Sequence, residues 1–511
     1  MSNSLDNFDK LSVAMPEVLH KQAVQHLLLY HHQRKRQENL CFALWRPSCG
    51  TKRATALVHK LVLPQPGELE LDGNVSFSGA YLDRASELAA AEKSGLALMH
   101  NHFGPGWQGM SEDDIATERK RAPFALTATG LPLVGMTLGT DGAWSGRFWL
   151  RTGGRQYDRR PCETVRVIGS GLLMTYHPEL QPVPRNGEQL LRTISAWGER
   201  NQAQIARIHV CVVGLGSVGR LVVEALARMG VRKVTLIDFD HIERVNLDRQ
   251  LGALQADVDA GRSKVELAHA GFLASATANN PEVVPVSFGV SEPEGFAAAL
   301  DCDVIFSCVD RPWGRQVLNH IAYAHLVPVI DGGIVVRTRS GLFKGAEWSV
   351  RTAGPGRCCL QCCGQFDPGL VDSERKGLLD DPSYIAGLPP DVVAAASQNV
   401  FPFSMSLASH EVIQFIALVT GLLGRPDLGE QRYHYNLAEM LSSEPRCEPD
   451  CLFQQRIATG ERFFPRSVMT GVHPKAAQIR ARFALAAKPA MRQQPGWFRW
   501  FLGLFGRSPS E

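Results

Sequence analysis

The chain has 511 residues, of which 44% are hydrophobic and 21% are charged, and its formal net charge is +3. This length fits roughly two to four domains of ordinary size, and the apolar content excludes a disordered chain. The small net charge gives no electrostatic reason to expect a nucleic-acid partner. The polar start "MSNSLDNFDK" lacks the apolar region of a signal peptide, so we expect a cytoplasmic protein with mostly reduced thiols.

The first 155 residues predict a small α/β domain. After a helical start, "NLCFALW" and "ATALVHKLVL" indicate strands, "DRASELAAAEKSG" indicates an amphipathic helix, and "LALMHNH" indicates a short buried strand. A helix at "DDIATERKRA" and strands at "PLVGMTLGT" and "WSGRFWLR" complete the predicted domain.

Two histidines end the buried strand of this domain. His100 and His102 are two residues apart and share one face of a strand, and Asp114 follows after a loop rich in Gly and Pro. Catalytic zinc takes three protein ligands and keeps one position for water. These three residues are therefore candidate Zn²⁺ ligands, with Ser111 stabilising the oxyanion and Glu38 accepting the proton of the water. The alternative is that Ser111 and Asp114 form only a helix capping box.

This pattern of Glu38, His100-x-His102, a short loop and Ser111-x-x-Asp114 resembles the JAB/MPN (JAMM) metalloprotease family over about residues 35–150. The resemblance implies a zinc peptidase that cleaves peptide or isopeptide bonds after the C terminus of a ubiquitin-like protein. A domain that only recognises a ubiquitin-fold partner is the non-enzymatic alternative.

A second domain is predicted from residue 189. Residues 156–188 contain the Pro-rich stretch "HPELQPVPRNG", which predicts a linker. A helix then leads into "IHVCVVGLG", and strands and helices alternate through "KVTLIDFD", "DVIFSCVD" and "VPVIDGG". This alternation predicts a Rossmann-like, doubly wound and mostly parallel sheet.

A glycine motif marks the start of that sheet. Gly214-x-Gly216-x-x-Gly219 follows an apolar strand and precedes a helix, where the backbone can approach phosphate groups. Asp238 ends the next strand, at the usual position of a ribose-binding carboxylate. An NAD-dependent oxidoreductase is therefore one interpretation of the motif.

The residues that follow favour ATP over NAD. Arg249 and Lys264 are cations suited to a triphosphate, and Asp310, at a strand end, suits Mg²⁺. A site for hydride transfer needs no such cationic clamp, whereas activation of a carboxylate at the α-phosphate does. Asp310 considered alone could instead cap the following helix.

In order and spacing these residues resemble the adenylation domain of the ThiF/MoeB/HesA and ubiquitin-activating superfamily, from about residue 190 to 455. The resemblance implies a dimer that uses Mg-ATP to adenylate the C-terminal glycine of a ubiquitin-like protein. The implied ligands of the nucleotide are Asp238 or Asp240 for ribose, Asn246, Arg249 and Lys264 for phosphates with Gln250 beside them, and Asp310 for Mg²⁺. Arg192, with Arg200 as second choice, would reach the ATP of the other subunit, although either could be a solvated helix charge.

Cysteines cluster in two regions. Cys359-x-x-Cys362 and Cys447-x-x-x-Cys451 have spacings that predict a four-cysteine structural Zn²⁺ site. The superfamily often carries an acceptor thiol after this knuckle, but "AAASQNVFPFSMSLASHE" contains no Cys. Cys358 or Cys363 could be the acceptor; the adenylate could also pass to a partner, or the reaction could stop at adenylation.

Residues 456–511 are predicted to form a C-terminal extension with the aromatic tail "QPGWFRWFLGLFGR". The tail is too short to span a membrane, and docking on protein is favoured over contact with a membrane interface. Together the resemblances imply a bifunctional enzyme of a bacterial ubiquitin-like conjugation system. Such systems include antiphage ones, and a conjugating enzyme is a further expected partner. The alternative is activation of a sulfur-carrier protein for cofactor biosynthesis.

Overall fold

The structure is a computed structural model that describes residues 5–72, 74–154, 156–380, 399–464 and 470–487. The aromatic tail at 494–507 lies outside the described residues, as do residues 394–398 of the segment in which no Cys was found. Strands of the amino-terminal half are β1 Lys10–Pro16, β2 Leu40–Cys49, β3 Arg53–Val62, β4 Leu69–Asp72, β5 Asn74–Phe77, β6 Gly95–Asn101, β7 Leu133–Leu138, β8 Trp144–Gly153, β9 Gln156–Pro161, β10 Thr164–Ile168 and β11 Leu172–Tyr176. Its helices are α1 Glu17–Leu27, α2 Leu29–His32, α3 Gly79–Ala91 and α4 Glu112–Thr129.

Nine of these strands form one mixed sheet in the order β11-β10-β1-β3-β2-β6-β7-β8-β9, while β4 and β5 form a separate hairpin. The alternating apolar residues of β2 and β6 pack on α3 and α4 on one face, and those of the opposite face close over α1. The apolar runs of the sequence explain this layering, because the central strands β2, β6 and β7 bury both of their faces.

The predicted end of the first domain at residue 155 is wrong. The structure places β9, β10 and β11 at residues 156–176 in the first sheet, and only residues 177–187 contain no helix or strand. The Pro-rich stretch does mark a connection, but strands β10 and β11 precede it. The short apolar run of β10 pairs with β1, which lies far away in the sequence, and β11 pairs in turn with β10.

The second sheet has eight strands in the order β14-β13-β12-β15-β16-β17-β18-β19. They are β12 His209–Val213, β13 Lys233–Ile237, β14 Glu282–Val286, β15 Val304–Ser307, β16 Val329–Arg339, β17 Leu342–Ala353, β18 Glu430–His434 and β19 Glu439–Ser443. The first five strands in this order, from β14 to β16, are parallel, as the alternation of strands and helices predicts. The antiparallel extension through β17, β18 and β19 was not predicted.

Helices cover both faces of this sheet. They are α5 Leu191–Arg207, α6 Ser217–Arg228, α7 Gln255–Asp259, α8 Lys264–Ser275, α9 Pro293–Leu300, α10 Pro312–Ala324, α11 Pro368–Arg375, α12 Phe401–Thr420 and α13 Pro474–Ala487. Short 3-10 turns lie at Leu5–Asn7, Glu188–Leu190, Arg244–Asn246, Leu378–Asp380, Leu422–Gly424, Gln454–Arg456 and Gly460–Arg462. By length and composition α12 is the one helix of the described residues that could cross a membrane, but it packs on α6, β16 and β17 in the core.

The two sheets share one apolar core and a buried ionic contact. Ala14 and Leu57 of the first sheet belong to the same buried cluster as the strands and helices of the second. Asp303, which precedes β15, pairs with Arg53 at 2.5 Å and Arg166 at 3.1 Å. The first sheet therefore packs against the amino edge of the second, and the carboxyl edge remains available for ligands.

Candidate functional sites

The two histidines and Asp114 converge as the sequence predicts. His100 Nε2 lies 3.2 Å from His102 Nε2 and 3.5 Å from Asp114 Oδ1, and His102 Nε2 lies 3.2 Å from Asp114 Oδ2. Zinc–nitrogen bonds of about 2.05 Å in a tetrahedron separate neighbouring ligand atoms by about 3.3 Å. The spacing and chemistry of this donor set therefore fit Zn²⁺ with a fourth position free.

Glu38 lies beside this cluster. Because Leu40 pairs with His100 in antiparallel register, the same register places Glu38 opposite His102. Burial raises the pKa of Glu38, and Asp114 adds to the rise while His102 opposes it. Glu38, the predicted proton acceptor, therefore lies close enough to His102 and Asp114 to interact with their charges.

Ser111 has the capping role that the sequence left as an alternative. It is the N-cap of α4, its hydroxyl donates to Asp114 Oδ2 at 2.8 Å, and the Asp114 N–H donates back at 3.1 Å. Burial would raise the pKa of Asp114, but hydrogen bonds from His102 and Ser111 and the His100 charge lower it below its ordinary value. The capping box fixes the position of Asp114, and the oxyanion role of Ser111 stays a prediction.

A buried network behind His100 was missed by the sequence interpretation. Arg147 donates to Thr137 Oγ1 at 2.7 Å and to Glu118 Oε2 at 2.9 Å, and Trp149 Nε1 donates to Glu118 at 2.6 Å. Burial and the Arg147 charge lower the pKa of His100 to about 4. The neutral imidazole that metal binding requires is therefore favoured. Glu118, one turn after Asp114 on α4, was the available signal.

The glycine loop joins β12 to α6 at the carboxyl edge of the second sheet. Gly214 has φ +87°, and a Cβ there would lie 2.5 Å from the Cys308 carbonyl oxygen; a Cβ on Gly219 would lie 1.9 Å from the Gly214 oxygen. A Cβ on Gly216 would meet open space. Two glycines thus hold the loop against its neighbours, and the third leaves an open approach to the first-turn N–H groups of α6.

The acidic residues after β13 surround Lys264. Asp238 accepts from the Leu215 N–H at 2.7 Å and from the Asp240 N–H at 2.8 Å, which ties it to the glycine loop. Lys264 Nζ lies 2.9 Å from Asp240 Oδ2. Burial alone would lower the pKa of Lys264, but Asp238 and Asp240 raise it, so this ammonium is fully charged beside the loop.

Asn246 and Gln250 have structural contacts within the same loop region. Asn246 Oδ1 accepts from the Glu243 N–H at 3.0 Å, and buried Gln250 donates to the Leu215 carbonyl at 3.0 Å. Arg249 is half-buried and donates to the Val245 carbonyl and to Asp248. Gln250 therefore supports the glycine loop from below, and Arg249 lies at the surface.

Asp310 is exposed and follows β15, next to the glycine loop in the sheet order. Arg311, rather than Asp310, occupies the N-cap of α10 and makes no side-chain cap, so the capping alternative fails for Asp310. Its charge contributes to the raised pKa of Lys264. The ends of β12, β13 and β15 thus bring the glycines, Lys264 and Asp310 into one site, whose oxygen and cationic groups fit Mg-ATP.

Arg192 and Arg200 are both exposed on α5. Gly198, with φ +84°, interrupts that helix between them. Their predicted reach into a second subunit stays a prediction.

The four predicted cysteines come together. Cys359, Cys362, Cys447 and Cys451 place their sulfur atoms within 4.8 Å of one another, and Cys359 Sγ is 3.6 Å from Cys451 Sγ. Tetrahedral zinc with bonds of about 2.3 Å separates its sulfurs by about 3.8 Å. The one-residue-wider second pair therefore still fits a zinc knuckle.

Cys358 and Cys363 lie outside this set. A hydrogen bond from Cys358 lowers the pKa of Cys363, with burial opposing it and Arg351 adding to the effect. The same pairing raises the pKa of the Cys358 thiol. Of the two surplus cysteines, Cys363 has the more thiolate character.

Residues 188–452 match the model of the ThiF family. This match covers just over half of the 511-residue chain. The molybdopterin-synthase adenylyltransferase of Escherichia coli is 34% identical over 160 residues, which are 31% of this chain and 59% of that protein. The SAMP-activating enzyme E1 of Haloferax volcanii is 30% identical over 187 residues, 36% of this chain and 64% of that protein. The chain thus spans less than two thirds of the length of either relative.

A solved structure is also similar. The crystal structure of E. coli MccB with ATP has a TM-score of 0.40 and 17% identity, covering 52% of this chain and 74% of that chain. The family match begins at residue 188 and leaves the first sheet outside it.

Proposed function

The chain belongs to the ThiF family through residues 188–452, and on this premise we propose that it adenylates the C-terminal carboxylate of a small carrier protein with Mg-ATP. The observation that carries the proposal is the meeting of the glycine loop, Lys264 and Asp310 at one carboxyl edge of a parallel sheet. Ligands of open α/β sheets bind at this edge, where strand order reverses.

The residues divide the work of one displacement. A carboxylate oxygen of the partner attacks the α-phosphorus of ATP, the bond to the β-phosphate oxygen breaks, and pyrophosphate leaves. The amino end of α6 and Lys264 hold the phosphates, and Asp238 receives the ribose hydroxyls. Mg²⁺ bound at Asp310 would neutralise charge on the phosphate oxygens.

The partner that we favour is a ubiquitin-like protein. One relative is named as an enzyme that activates SAMP and the other as an adenylyltransferase of molybdopterin synthase. The second name makes a sulfur-carrier protein the other candidate. The cluster of His100, His102 and Asp114 favours the ubiquitin-like protein, because a peptidase domain is needed only where a partner is processed or conjugated.

ATP–pyrophosphate exchange tests adenylation. The purified chain is incubated with Mg-ATP and candidate ubiquitin-like or sulfur-carrier partners, and Asp310→Ala is compared with Asp372→Ala. Asp372 is an exposed carboxylate of α11 that pairs with Lys376 at the end of that helix, and it serves as the matched control. We expect partner-dependent exchange that falls about 10²-fold or more in Asp310→Ala alone. Exchange that persists in this variant would remove the proposed role of the site.

For the first domain we propose a zinc peptidase that cleaves after a ubiquitin-like C terminus. The observation that supports it is the tetrahedral spacing of His100, His102 and Asp114. Zinc bound there supplies a water of lowered pKa, and Glu38 is placed to take a proton. Zinc content and cleavage of a ubiquitin-like fusion are measured for the wild type, His102→Ala and the exposed control His31→Ala. Partner binding without zinc or cleavage would favour a recognition domain.

The remaining parts of the proposal are a structural zinc at the four cysteines, a homodimer in which Arg192 reaches the opposite site, and a conjugating enzyme that takes the activated partner. The cysteine geometry supports the first, and the exposure of Arg192 is compatible with the second. A cytoplasmic location is consistent with the reduced thiols that the knuckle requires.

A further inference from the structure

Residues 470–487 of the C-terminal extension lie against the proposed nucleotide site. Lys475 Nζ is 3.2 Å from both carboxylate oxygens of Asp240. Lys264 Nζ is 2.9 Å from one of those oxygens. One carboxylate therefore holds two ammonium groups that come from distant parts of the chain.

Aromatic stacking fixes the start of this segment. The His473 ring stacks between Phe239, at 5.2 Å between ring centroids, and Trp313, at 6.0 Å. His473 Nε2 lies 3.1 Å from buried Glu374 Oε1, and the other oxygen of Glu374 accepts from the Trp313 N–H at 2.8 Å. Phe239 lies between the two site aspartates in the sequence, and Trp313 lies in the first turn of the helix after Asp310. The segment is thus anchored on both loops that frame the site.

The helix after His473 has its own anchor. Arg480 donates to both oxygens of buried Glu292, at 2.6 and 2.8 Å. Lys475 is therefore held from both sides in sequence, which limits the entropy cost of placing its ammonium on Asp240.

Asp240 is a buried carboxylate whose charge is balanced by Lys264 and Lys475. Burial would raise the pKa of Asp240, but Lys264 and Lys475 lower it, so the group is ionised. A lysine that turns towards phosphate shares its charge between the phosphate and Asp240, and a largely buried carboxylate with less countercharge is costly. With Lys475 in place, Asp240 keeps one cation when Lys264 turns to ATP.

We propose that Lys475 is a positioning residue of the adenylation site: by neutralising Asp240 it frees Lys264 for the phosphates of ATP. This rests on the proposed adenylation function. The extension then completes the nucleotide site, instead of covering it as a competitor that ATP must displace.

Calorimetric titration of Mg-ATP into the full-length protein tests this role. Lys475→Gln is compared with the conservative Lys475→Arg and with Arg482→Gln, an exposed charge on the same helix. We expect Lys475→Gln to bind Mg-ATP about tenfold more weakly, since close charge pairs couple by at least this much. Lys475→Arg should retain most of the affinity, and Arg482→Gln should bind as the wild type does.

A double-mutant cycle separates positioning from mere packing. In an Asp240→Asn background there is no carboxylate to neutralise, so adding Lys475→Gln should change the affinity little. An equal loss in both backgrounds, or unchanged binding by Lys475→Gln, would overturn the inference, and tighter binding would identify the segment as a competitor. A wild type that binds no Mg-ATP would overturn the proposed function itself.

Discussion

Asp303→Asn removes the one negative charge of a buried contact between the two sheets. Asp303 is 4% exposed and its partners Arg53 and Arg166 are 5% and 1% exposed, so water cannot replace the lost charge. The asparagine has nearly the same size, which confines the change to electrostatics. Breaking such a buried pair by altering one partner costs about 3–5 kcal/mol.

The shift in melting temperature depends on how much of the chain unfolds together. For a 511-residue cooperative unit the unfolding entropy is about 1 kcal/mol per kelvin, which predicts a shift of about 3–5 °C. If the first domain melts alone, its smaller entropy predicts about 8–14 °C. Scanning calorimetry measures both the shift and the number of transitions.

Asp372→Asn is the matched control, because this carboxylate is 63% exposed in its pair with Lys376 and should change the melting temperature by less than about 1 °C. Arg53 and Arg166 hold the pKa of Asp303 below its ordinary value, against the effect of burial. Its stabilising effect is therefore complete above about pH 4 and is lost as the pH falls through the lower folded-state pKa. A wild-type-like melting curve for Asp303→Asn at pH 7 would refute the reasoning.

The remaining predictions concern the adenylation domain. Gly214→Ala should lower the melting temperature, because Gly214 has a φ of +87° and a carbonyl oxygen would lie 2.5 Å from the new Cβ. Gly216→Ala should keep the fold and weaken ATP binding, because a Cβ there meets open space. Equal melting temperatures for the two variants would contradict this prediction. Cys447→Ser should lose one zinc per chain by elemental analysis and melt earlier, and an unchanged zinc content would exclude the knuckle. Mixing inactive Arg192→Ala and Asp310→Ala chains should restore about one quarter of wild-type exchange if the arginine acts across a twofold dimer, and no recovery would place it in its own subunit's site or outside catalysis.

The meeting of the candidate nucleotide-binding residues was predictable because these residues follow one rule. Gly214, Asp238 and Asp310 each stand just after a parallel strand, and parallel strands bring their carboxyl ends to a common edge. The His cluster was predictable for a related reason, since spacing on β6 and the capping box on α4 are local patterns. The predicted mixed α/β class, with a mostly parallel core in the second sheet, is therefore confirmed, and the JAB/MPN likeness of the first sheet stays a prediction.

Other features depend on contacts that no local pattern encodes. Lys475 reaches Asp240 across 235 positions of sequence, and nothing in its helix distinguishes it from a solvated lysine. The buried Glu118 and Arg147 pair looks like ordinary surface charge until β8 covers α4. The sequence interpretation assigned β10 and β11 to a linker. These strands form because β10 pairs with β1, and no local pattern in the sequence shows that pairing.

The second domain separates the glycine loop from the contacts with the first domain. Strand β12 and helix α10 run from the first domain towards the glycine loop and Asp310. His209 at the start of β12 bonds to Asp303, which pairs with Arg53, and His325 at the end of α10 bonds to Ser48. Strand and helix rises make these paths about 17–21 Å long. An extended tail covers about 3.4 Å per residue, so at least about five residues are needed merely to cross this domain. A carrier tail whose last residue lies at the glycine loop would therefore need to extend at least this far before it reached the first domain.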